Sequence, residues 1–245
     1  MAVSADGKIT HWHANSGKAM LQMEEKGNPI MCMDYSPDGT VFCTAGNDRQ
    51  IRLYNEDRKE LLGTMKQGGM FNPGHSNRVF SVCFHRGFNG LLASGGWDNT
   101  VQFYDLKSQT ITNSIYGPHI CGDALDFKDH QLLTGSWSTT NQLQIWDIRT
   151  FKLIKNIDWD TDAKSEATYC YASQFGKGKN SSIFGVGCSN KNMIRMFDNN
   201  NEDKPFVNSR LNKACYAIDY SSSGKHFAYG CGDGMVRILN LDKEN

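Results

Sequence analysis

The sequence contains no apolar run that approaches the ~20 residues needed to span a bilayer. Its longest apolar run, IMCM at 30–33, is only long enough for a β-strand. Residues 1–20 lack both the charged start and the apolar block of a secretory signal. These absences predict a soluble, cytoplasmic protein. Association with the cytoskeleton or a cilium is a further expectation, and a nuclear location is left open.

The chain also lacks an excess of charge of either sign. Its 245 residues include 26 Lys and Arg and 26 Asp and Glu, so the formal net charge is zero. A balanced surface supplies no general field that attracts a phosphate backbone or an anionic lipid. We therefore expect neither nucleic acid nor a membrane among the partners. A hydrophobic content of 39% predicts a globular chain rather than a disordered one.

No two cysteines have the Cys-x-x-Cys spacing of a zinc site or a redox motif. The eight cysteines lie mostly inside apolar runs that are typical of strands, such as SVCFH at 81–85. In such a run a thiol packs as a small apolar side chain. The pattern predicts reduced, structural cysteines in a reducing compartment, with no metal and no other cofactor.

Catalytic motifs are missing as well. The chain has no phosphate-binding loop, no Gly-x-Ser-x-Gly elbow and no His-Glu-x-x-His motif. Three aspartates recur at similar places in strand-like runs: Asp34, Asp126 and Asp219. They indicate either solvated strand ends at an acidic rim, which we favour, or carboxylates that serve catalysis. We expect the protein not to be an enzyme, and a catalytic or small-molecule-binding protein is the weaker alternative.

What the chain does have is a repeat. Six short runs each follow a turn and alternate apolar with polar residues up to one large apolar position. These positions are Trp12, Tyr54, Tyr104, Trp146, Phe197 and Leu239, at spacings of 42, 50, 42, 51 and 42 residues. A fixed period of this length is the signature of a repeat architecture.

Each full unit carries four strand signals separated by Gly, Asn, Asp and Ser turns. In one unit they are RVFSVCFH at 78–85, LLASGG at 91–96, TVQFYDL at 100–106 and TITNSIY at 110–116. Strands of this length joined by tight turns predict an antiparallel meander. No segment keeps a 3.6-residue apolar period for three turns, so we expect almost no helix.

These residues make the chain resemble the WD-repeat β-propellers over essentially all of its length. The resemblance rests on Gly74-His75, Ser94, Asp98 and Tyr104-Asp105 in one unit and on the literal Trp146-Asp147 pair in the next. It implies a hydrogen-bonded chain of His75, Ser94, Asp98 and Tyr104 that braces a blade. The preceding unit offers Thr44, Asp48 and Tyr54 but no Gly-His pair, so we expect uneven bracing.

The resemblance implies one all-β propeller domain over residues 1–245. Complete blades are expected at 28–66, 78–116, 119–159 and 168–210. Residues 1–23 supply a blade without its inner strand, and residues 213–241 supply one without its outer strand. Two arrangements fit six such units: an imperfectly closed six-bladed ring, or most of a seven-bladed ring, which we favour because seven is usual in the family.

The resemblance also implies a function in protein recognition. In this family the loops between blades and the turns between the second and third strands form a top face that binds partners. The candidate partner-binding residues there are Trp97, Trp137, Phe71, Arg78, His119 and Arg49. The two tryptophans have an alternative interpretation as residues that pack sideways on neighbouring blades. Trp146 joins the bracing residues.

We predict a non-catalytic interaction scaffold of a large multiprotein complex, which binds other proteins through its top face and its open blade edges. An alternative is a substrate receptor of a cullin-type ubiquitin ligase. WDIR at 146–149 and the run at 91–107 are similar to the box by which such receptors dock their adaptor. The 146–149 unit lacks the turn aspartate, and Lys107 stands where arginine is usual.

Overall fold

The computed structural model describes residues 1–65, 73–88, 90–157, 159, 167–200 and 205–242. Within these ranges the chain forms 22 strands, in six antiparallel sheets, and one short 3-10 turn at Gly178–Asn180. The chain divides into two compact units, Met1–Tyr116 and Gly117–Asn245, which we call the N-terminal and C-terminal units. No helix in the described part is long and apolar enough to cross a membrane.

The N-terminal unit holds three sheets. Its first sheet has three strands and its second and third have four, each in simple meander order. The strands are β1 (Ala2–Val3), β2 (Lys8–His13), β3 (Lys18–Glu24); β4 (Ile30–Tyr35), β5 (Val41–Gly46), β6 (Ile51–Asn55), β7 (Leu61–Thr64); and β8 (Val79–Phe84), β9 (Leu91–Gly96), β10 (Thr100–Asp105), β11 (Thr110–Tyr116).

The C-terminal unit holds the fourth, fifth and sixth sheets. The fourth and fifth have four strands and the sixth has three. The strands are β12 (Leu125–Lys128), β13 (Gln131–Gly135), β14 (Leu143–Asp147), β15 (Lys152–Ile157); β16 (Tyr169–Phe175), β17 (Ile183–Ser189), β18 (Met193–Asp198), β19 (Val207–Arg210); and β20 (Cys215–Tyr220), β21 (His226–Cys231), β22 (Val236–Asn240).

We letter the strands of each four-stranded sheet a to d in chain order. Strand b is mostly buried in each of these sheets: in β5 and β9, five of the six residues are buried. Strand d is the most exposed, and β15 has only one buried residue. A strand buried on both faces needs the short apolar runs that the sequence offers at these places, VFCTAG and LLASGG.

Apolar side chains between successive sheets form the core of each unit. In the N-terminal unit, Leu53 and Ile51 of the second sheet pack with Phe84 and Leu92 of the third. In the C-terminal unit, Leu133 and Ile145 of the fourth sheet pack with residues of the fifth, including Phe184. Full burial of a side chain of this size stabilises the fold by about 1.5–3 kcal/mol. Sheet-on-sheet packing therefore holds each unit together.

The all-β class and the six repeated sheets that the sequence predicts are confirmed. The second to fifth sheets have four strands each, and the first and sixth have three. The expectations of a single domain and of a seven-bladed ring stay predictions.

Candidate functional site

In the N-terminal unit, Trp97 occupies the turn between strands b and c of the third sheet. A Cβ on Gly96 would lie 2.1 Å from the carbonyl oxygen of Arg78, so only glycine allows β9 to end so close to β8. The Trp97 amide N–H then donates to that same carbonyl at 3.0 Å. This short approach fixes the position of the indole relative to the start of β8.

Two side chains stack on the Trp97 indole. The Arg78 guanidinium carbon lies 5.5 Å from the centre of the indole, and the Phe80 ring stacks at 5.1 Å with an interplanar angle of 28°. Trp97 is still 36% exposed. The structure thus brings two of the predicted partner-binding residues, Arg78 and Trp97, into one cation–π pair.

Arg49 lies on a different part of this unit. It adopts a left-handed backbone conformation, with φ of 70°, in the b–c turn of the second sheet. Its neighbour Asp48 is ion-paired with Arg52, while Arg49 is exposed and lines a cleft of about 640 Å³ with Gly74 and His75. The predicted partner-binding residue Phe71 lies outside the described residues.

The third sheet is braced by a buried hydrogen-bonded chain around His75. His75 Nδ1 lies 2.8 Å from a carboxylate oxygen of Asp98, and His75 Nε2 lies 2.6 Å from the Ser94 hydroxyl. Ser94 in turn donates to the Tyr104 hydroxyl at 3.3 Å. Asp98 also accepts from Thr100 and from the amide N–H of Ser76. The network thereby joins the loop before β8, the b–c turn and strands b and c of the third sheet.

Two pKa shifts follow from this burial. Burial raises the pKa of the Tyr104 hydroxyl. Burial also raises the pKa of the Asp98 carboxyl, but hydrogen bonds from His75, Thr100 and Ser76 outweigh it and hold the pKa below its usual value. The ionised form of Asp98 is therefore the form that the folded chain stabilises.

The second sheet has a bracing residue that the sequence analysis missed. Glu25, 7% exposed, lies in the loop before β4, at a position comparable with His75. Its Oε1 accepts hydrogen bonds from Thr44 at 2.5 Å and Tyr54 at 2.8 Å. Its Oε2 accepts from Asn28 at 2.6 Å and Arg52 at 3.0 Å. Four donors satisfy the four acceptor positions of one carboxylate.

Asn28 and Arg52 connect Glu25 to the b–c turn. The Asn28 side-chain oxygen accepts from the amide N–H of Asp48 at 3.1 Å, and Arg52 pairs with the Asp48 carboxylate as well as with Glu25. Two signals could have indicated this network: an acidic residue in the loop where the third unit has Gly-His, and an arginine inside an otherwise apolar strand c.

In the C-terminal unit, Trp137 takes the place that Trp97 has in the N-terminal unit. Its amide N–H donates to the His119 carbonyl at 2.8 Å, as that of Trp97 does to Arg78. The indole stacks on Tyr169 of the neighbouring fifth sheet at 4.6 Å, and the His119 ring lies 6.1 Å away. Trp137 is 39% exposed. It therefore packs sideways on the next sheet while part of its surface stays exposed, and its part in partner binding stays a prediction.

Two more aromatic rings lie on this unit because of β-bulges. In β16, Cys170 pairs with Cys188 and Ala172 with Gly187, so Tyr171 is an extra residue. Tyr216 is the extra residue of β20 in the same way. A bulge redirects a side chain out of the regular alternation. The two rings meet edge to face at 5.0 Å, and Tyr216 is 50% exposed.

Trp137 also contacts one tyrosine of this pair, Tyr171. Burial raises the pKa of the Tyr171 hydroxyl, and hydrogen bonds that include one with Trp137 offset part of the effect. The sequence analysis missed all the tyrosines of this group, although the recurrence of Phe80, Tyr171 and Tyr216 at the second or third residue of strand a was visible. We call the set of five rings the aromatic surface: His119, Trp137, Tyr169, Tyr171 and Tyr216.

The three recurrent aspartates are not equivalent, and the expectation of solvated strand ends is wrong for two of them. Asp34 accepts from the amide N–H of Phe84 in the next sheet at 2.8 Å, and Asp126 accepts from that of Phe175 at 2.8 Å. Both carboxylates thus join successive sheets. Asp219 is exposed and pairs with Lys177 at 2.6 Å. The first two are withdrawn from water because the next sheet covers them.

Burial raises the pKa of Asp126 to about 7. The neighbouring carboxylate of Asp123 raises it as well, while the amide N–H of Phe175 acts in the opposite direction. In the described part of the chain, no group of three or more His, Cys, Asp or Glu side chains is placed to hold a metal ion.

The fourth sheet carries the literal Trp-Asp pair. Trp146 Nε1–H donates to the Thr134 hydroxyl at 3.2 Å, which connects strands c and b. Asp147 accepts two hydrogen bonds from the exposed guanidinium of Arg149, from Nε at 3.0 Å and from a terminal nitrogen at 2.8 Å. The residue on which the ligase alternative depends is therefore at the surface and engaged within its own turn.

A comparison with protein families matches the WD domain, G-beta repeat, at residues 19–55 and 66–105. These ranges contain strands a, b and c of the second sheet and the whole His75 network, in which Tyr104 stands where the motif has tryptophan. The chain therefore carries WD repeats, within an all-β fold of six blade sheets like that of the WD-repeat β-propellers.

Three relatives show how widely this module is shared. Protein SUPPRESSOR OF PHYA-105 1 of Arabidopsis thaliana is 29% identical over 58% of this chain and 13% of its own length. A guanine nucleotide-binding protein subunit beta-like protein of Encephalitozoon cuniculi is 31% identical over 48% and 34%. Protein transport protein SEC31 of Saccharomyces cerevisiae is 23% identical over 97% and 20%.

The chain thus spans about a third or less of the length of these relatives. WD-repeat propellers are in general modules for interaction with other proteins. Partners and pathways differ among proteins that share the fold.

Proposed function

We propose that this protein is a non-catalytic scaffold of a multiprotein complex that binds other proteins through the b–c turns of its blade sheets. The observation that carries the proposal is the pair of partly exposed tryptophans, Trp97 and Trp137, each fixed by a backbone hydrogen bond in the same turn of its sheet. An indole held rigidly at a surface binds at low entropic cost, and tryptophan is enriched in binding hot spots.

The edge of the sixth sheet is a second element of the same function. In each four-stranded sheet, strand d pairs with strand c. In the sixth sheet strand c is β22, and no strand of the described chain pairs with its outer side. Val236 and Ile238 of β22 are 75% and 68% exposed, whereas the comparable Ile51 and Leu53 of β6 are 2% and 4% exposed. We expect a β-strand of a neighbouring protein to add here through main-chain hydrogen bonds.

Quantitative affinity capture tests the turn surfaces. Proteins captured from a lysate by the whole chain are compared with those captured by Trp97→Ala and Trp137→Ala variants. Loss of a hot-spot indole weakens a partner by about 2 kcal/mol, or roughly thirtyfold. Trp12→Ala is the matched control, because Trp12 is 52% exposed but lies within a strand. Unchanged capture by both turn variants would contradict the proposal.

The alternative function, a substrate receptor of a cullin-type ligase, is supported by the exposure of Arg149 in the WDIR turn. Its guanidinium is held by Asp147, so a docked adaptor has a preformed charged pair to contact. Arg149→Ala is expected to abolish recovery of the ligase adaptor, whereas Arg58→Ala, at another exposed turn, leaves recovery unchanged. Equal recovery with both variants would remove this alternative.

A further inference from the structure

We propose that the aromatic surface of the C-terminal unit binds an arginine side chain from an extended segment of a partner protein. This inference rests on the proposed scaffold function and specifies the chemistry of one partner contact. Three observations carry the inference. Trp97 and Trp137 lie in comparable turns but have different neighbours, the rings of the aromatic surface lie close together, and a charged residue borders each end of that surface.

The chain itself shows what stacks on its tryptophans. A guanidinium lies over Trp97 at 5.5 Å, from Arg78, and over Trp159 at 4.5 Å, from Arg195. Trp137 stands in the same turn as Trp97, but the residue comparable with Arg78 is His119. Among the described residues no arginine or lysine is stacked on Trp137, which keeps 39% of its surface exposed.

The aromatic rings near Trp137 add to its attraction for a cation. Tyr169 stacks on the indole, and Tyr171, which contacts Trp137, meets the Tyr216 ring edge to face. The face of each ring carries partial negative charge and attracts a cation. A planar guanidinium also stacks on aromatic faces better than a compact ammonium group does. Arginine therefore fits this surface better than lysine.

Charges at the two ends of the aromatic surface orient the ligand. A Cβ on Gly122 would lie 2.3 Å from the carbonyl oxygen of Tyr171, so the exposed Asp123 that follows borders the Tyr171 end. The exposed Lys213 borders the other end, because its Cβ and the Tyr216 ring both lie near Gly232. We therefore place the guanidinium between Trp137 and Asp123, away from Lys213.

An array of seven-residue peptides tests the proposal. The central residue is arginine, lysine, citrulline, alanine or glutamate, and the flanking positions are the same randomised uncharged residues. The whole chain is expected to retain the arginine peptides at least fivefold more than the citrulline or alanine ones, with lysine between them and glutamate lowest. Equal retention of arginine and alanine peptides, or a preference for glutamate, would overturn the proposal.

Variants assign the binding to this surface. Trp137→Ala is expected to reduce arginine-peptide retention about tenfold, and Asp123→Asn about threefold with every ring still in place. Trp97→Ala is the matched control, since Arg78 already covers that indole, and thermal unfolding checks that each variant is folded. If the control and Trp137→Ala weaken retention equally, the assignment is wrong. If Trp137→Ala reduces the capture of proteins from a lysate while arginine and alanine peptides are retained equally, the scaffold function stands and this inference fails.

Discussion

In the second and third sheets of the N-terminal unit, a buried residue of the preceding loop is hydrogen-bonded to strands b and c. The buried residue is a carboxylate in the second sheet and an imidazole in the third. In the third sheet an imidazole, His75, reaches a hydroxyl on one side and the Asp98 carboxylate on the other. In the second sheet the carboxylate itself, on Glu25, is at the centre and every neighbour is a donor. A carboxylate only accepts hydrogen bonds, so the positive partner moves to strand c, as Arg52.

In both sheets the buried central residue has a hydrogen-bond partner for each of its polar atoms, and the central residue differs together with its neighbours. Buried polar groups are costly only when they lack partners. The two centres differ, however, in what is left behind when one is removed. That asymmetry can be measured.

The largest effect is expected from Glu25→Ala. It leaves the half-buried Arg52 with Asp48 and Gln50 and three further donors without the carboxylate, so we expect a loss of about 3–5 kcal/mol in the free energy of unfolding. His75→Ala leaves Asp98 with its Thr100 and Ser76 donors, and we expect about 1–3 kcal/mol. Urea unfolding of the whole chain, with amide exchange of β5 and β9, measures both. Exposed Glu24→Ala should change little, and equal losses for Glu25 and His75 would contradict the comparison.

A smaller difference is expected from the tyrosines of strand c. The Tyr54 hydroxyl donates to a charged carboxylate at 2.8 Å, whereas Tyr104 accepts from a neutral hydroxyl at 3.3 Å. Hydrogen bonds to charged groups contribute about 1.5–3 kcal/mol and neutral ones about 1 kcal/mol. Tyr54→Phe should therefore cost more than Tyr104→Phe in the same urea experiment. The reverse order would show that Glu25 is not the stronger acceptor.

The smallest effect concerns acid. Because the pKa of Asp98 in the folded chain lies below its usual 3.8, its ionised form contributes stability that is present above that pH and is lost as the pH falls through the folded value. Asp98→Asn is expected to be less stable at pH 7 and to lose less stability than the parent chain below about pH 4. Thermal unfolding between pH 2.5 and 7 measures the slopes. Asp57→Asn, an exposed change in the same unit, serves as control. If the parent chain and Asp98→Asn lose stability equally below about pH 4, Asp98 is not the source of the acid dependence.

The sequence identified the residues of the third-sheet network because they follow a family motif. It identified only part of the second-sheet network: Thr44, Asp48 and Tyr54 stand at motif positions, but Glu25 and Arg52 do not. Their contribution arises when the loop before β4 folds over the b–c turn, a contact between residues 27 apart in the chain. Asp34 and Asp126 were misjudged for a similar reason, since the sheet that covers each carboxylate comes about 50 residues later.

Trp97 and Trp137 illustrate the same limit at the candidate site. Their turns look alike in sequence, GGWDN and GSWSTT, and both were expected at a recognition surface. Trp97 finds its partners, Arg78 and Phe80, on its own sheet, whereas Trp137 stacks on Tyr169 of the next one. A local pattern placed both side chains in a turn but could not say which neighbours they meet.

By itself the sequence determined the repeat, the strands and the turns, because apolar alternation and turn residues act over a few positions and recur at a fixed period. The tertiary structure decided which polar side chains are buried and which aromatic rings gather into one surface. Those outcomes depend on contacts between strands of different sheets and on bulges that turn single residues aside, and neither is written in any local stretch of the chain.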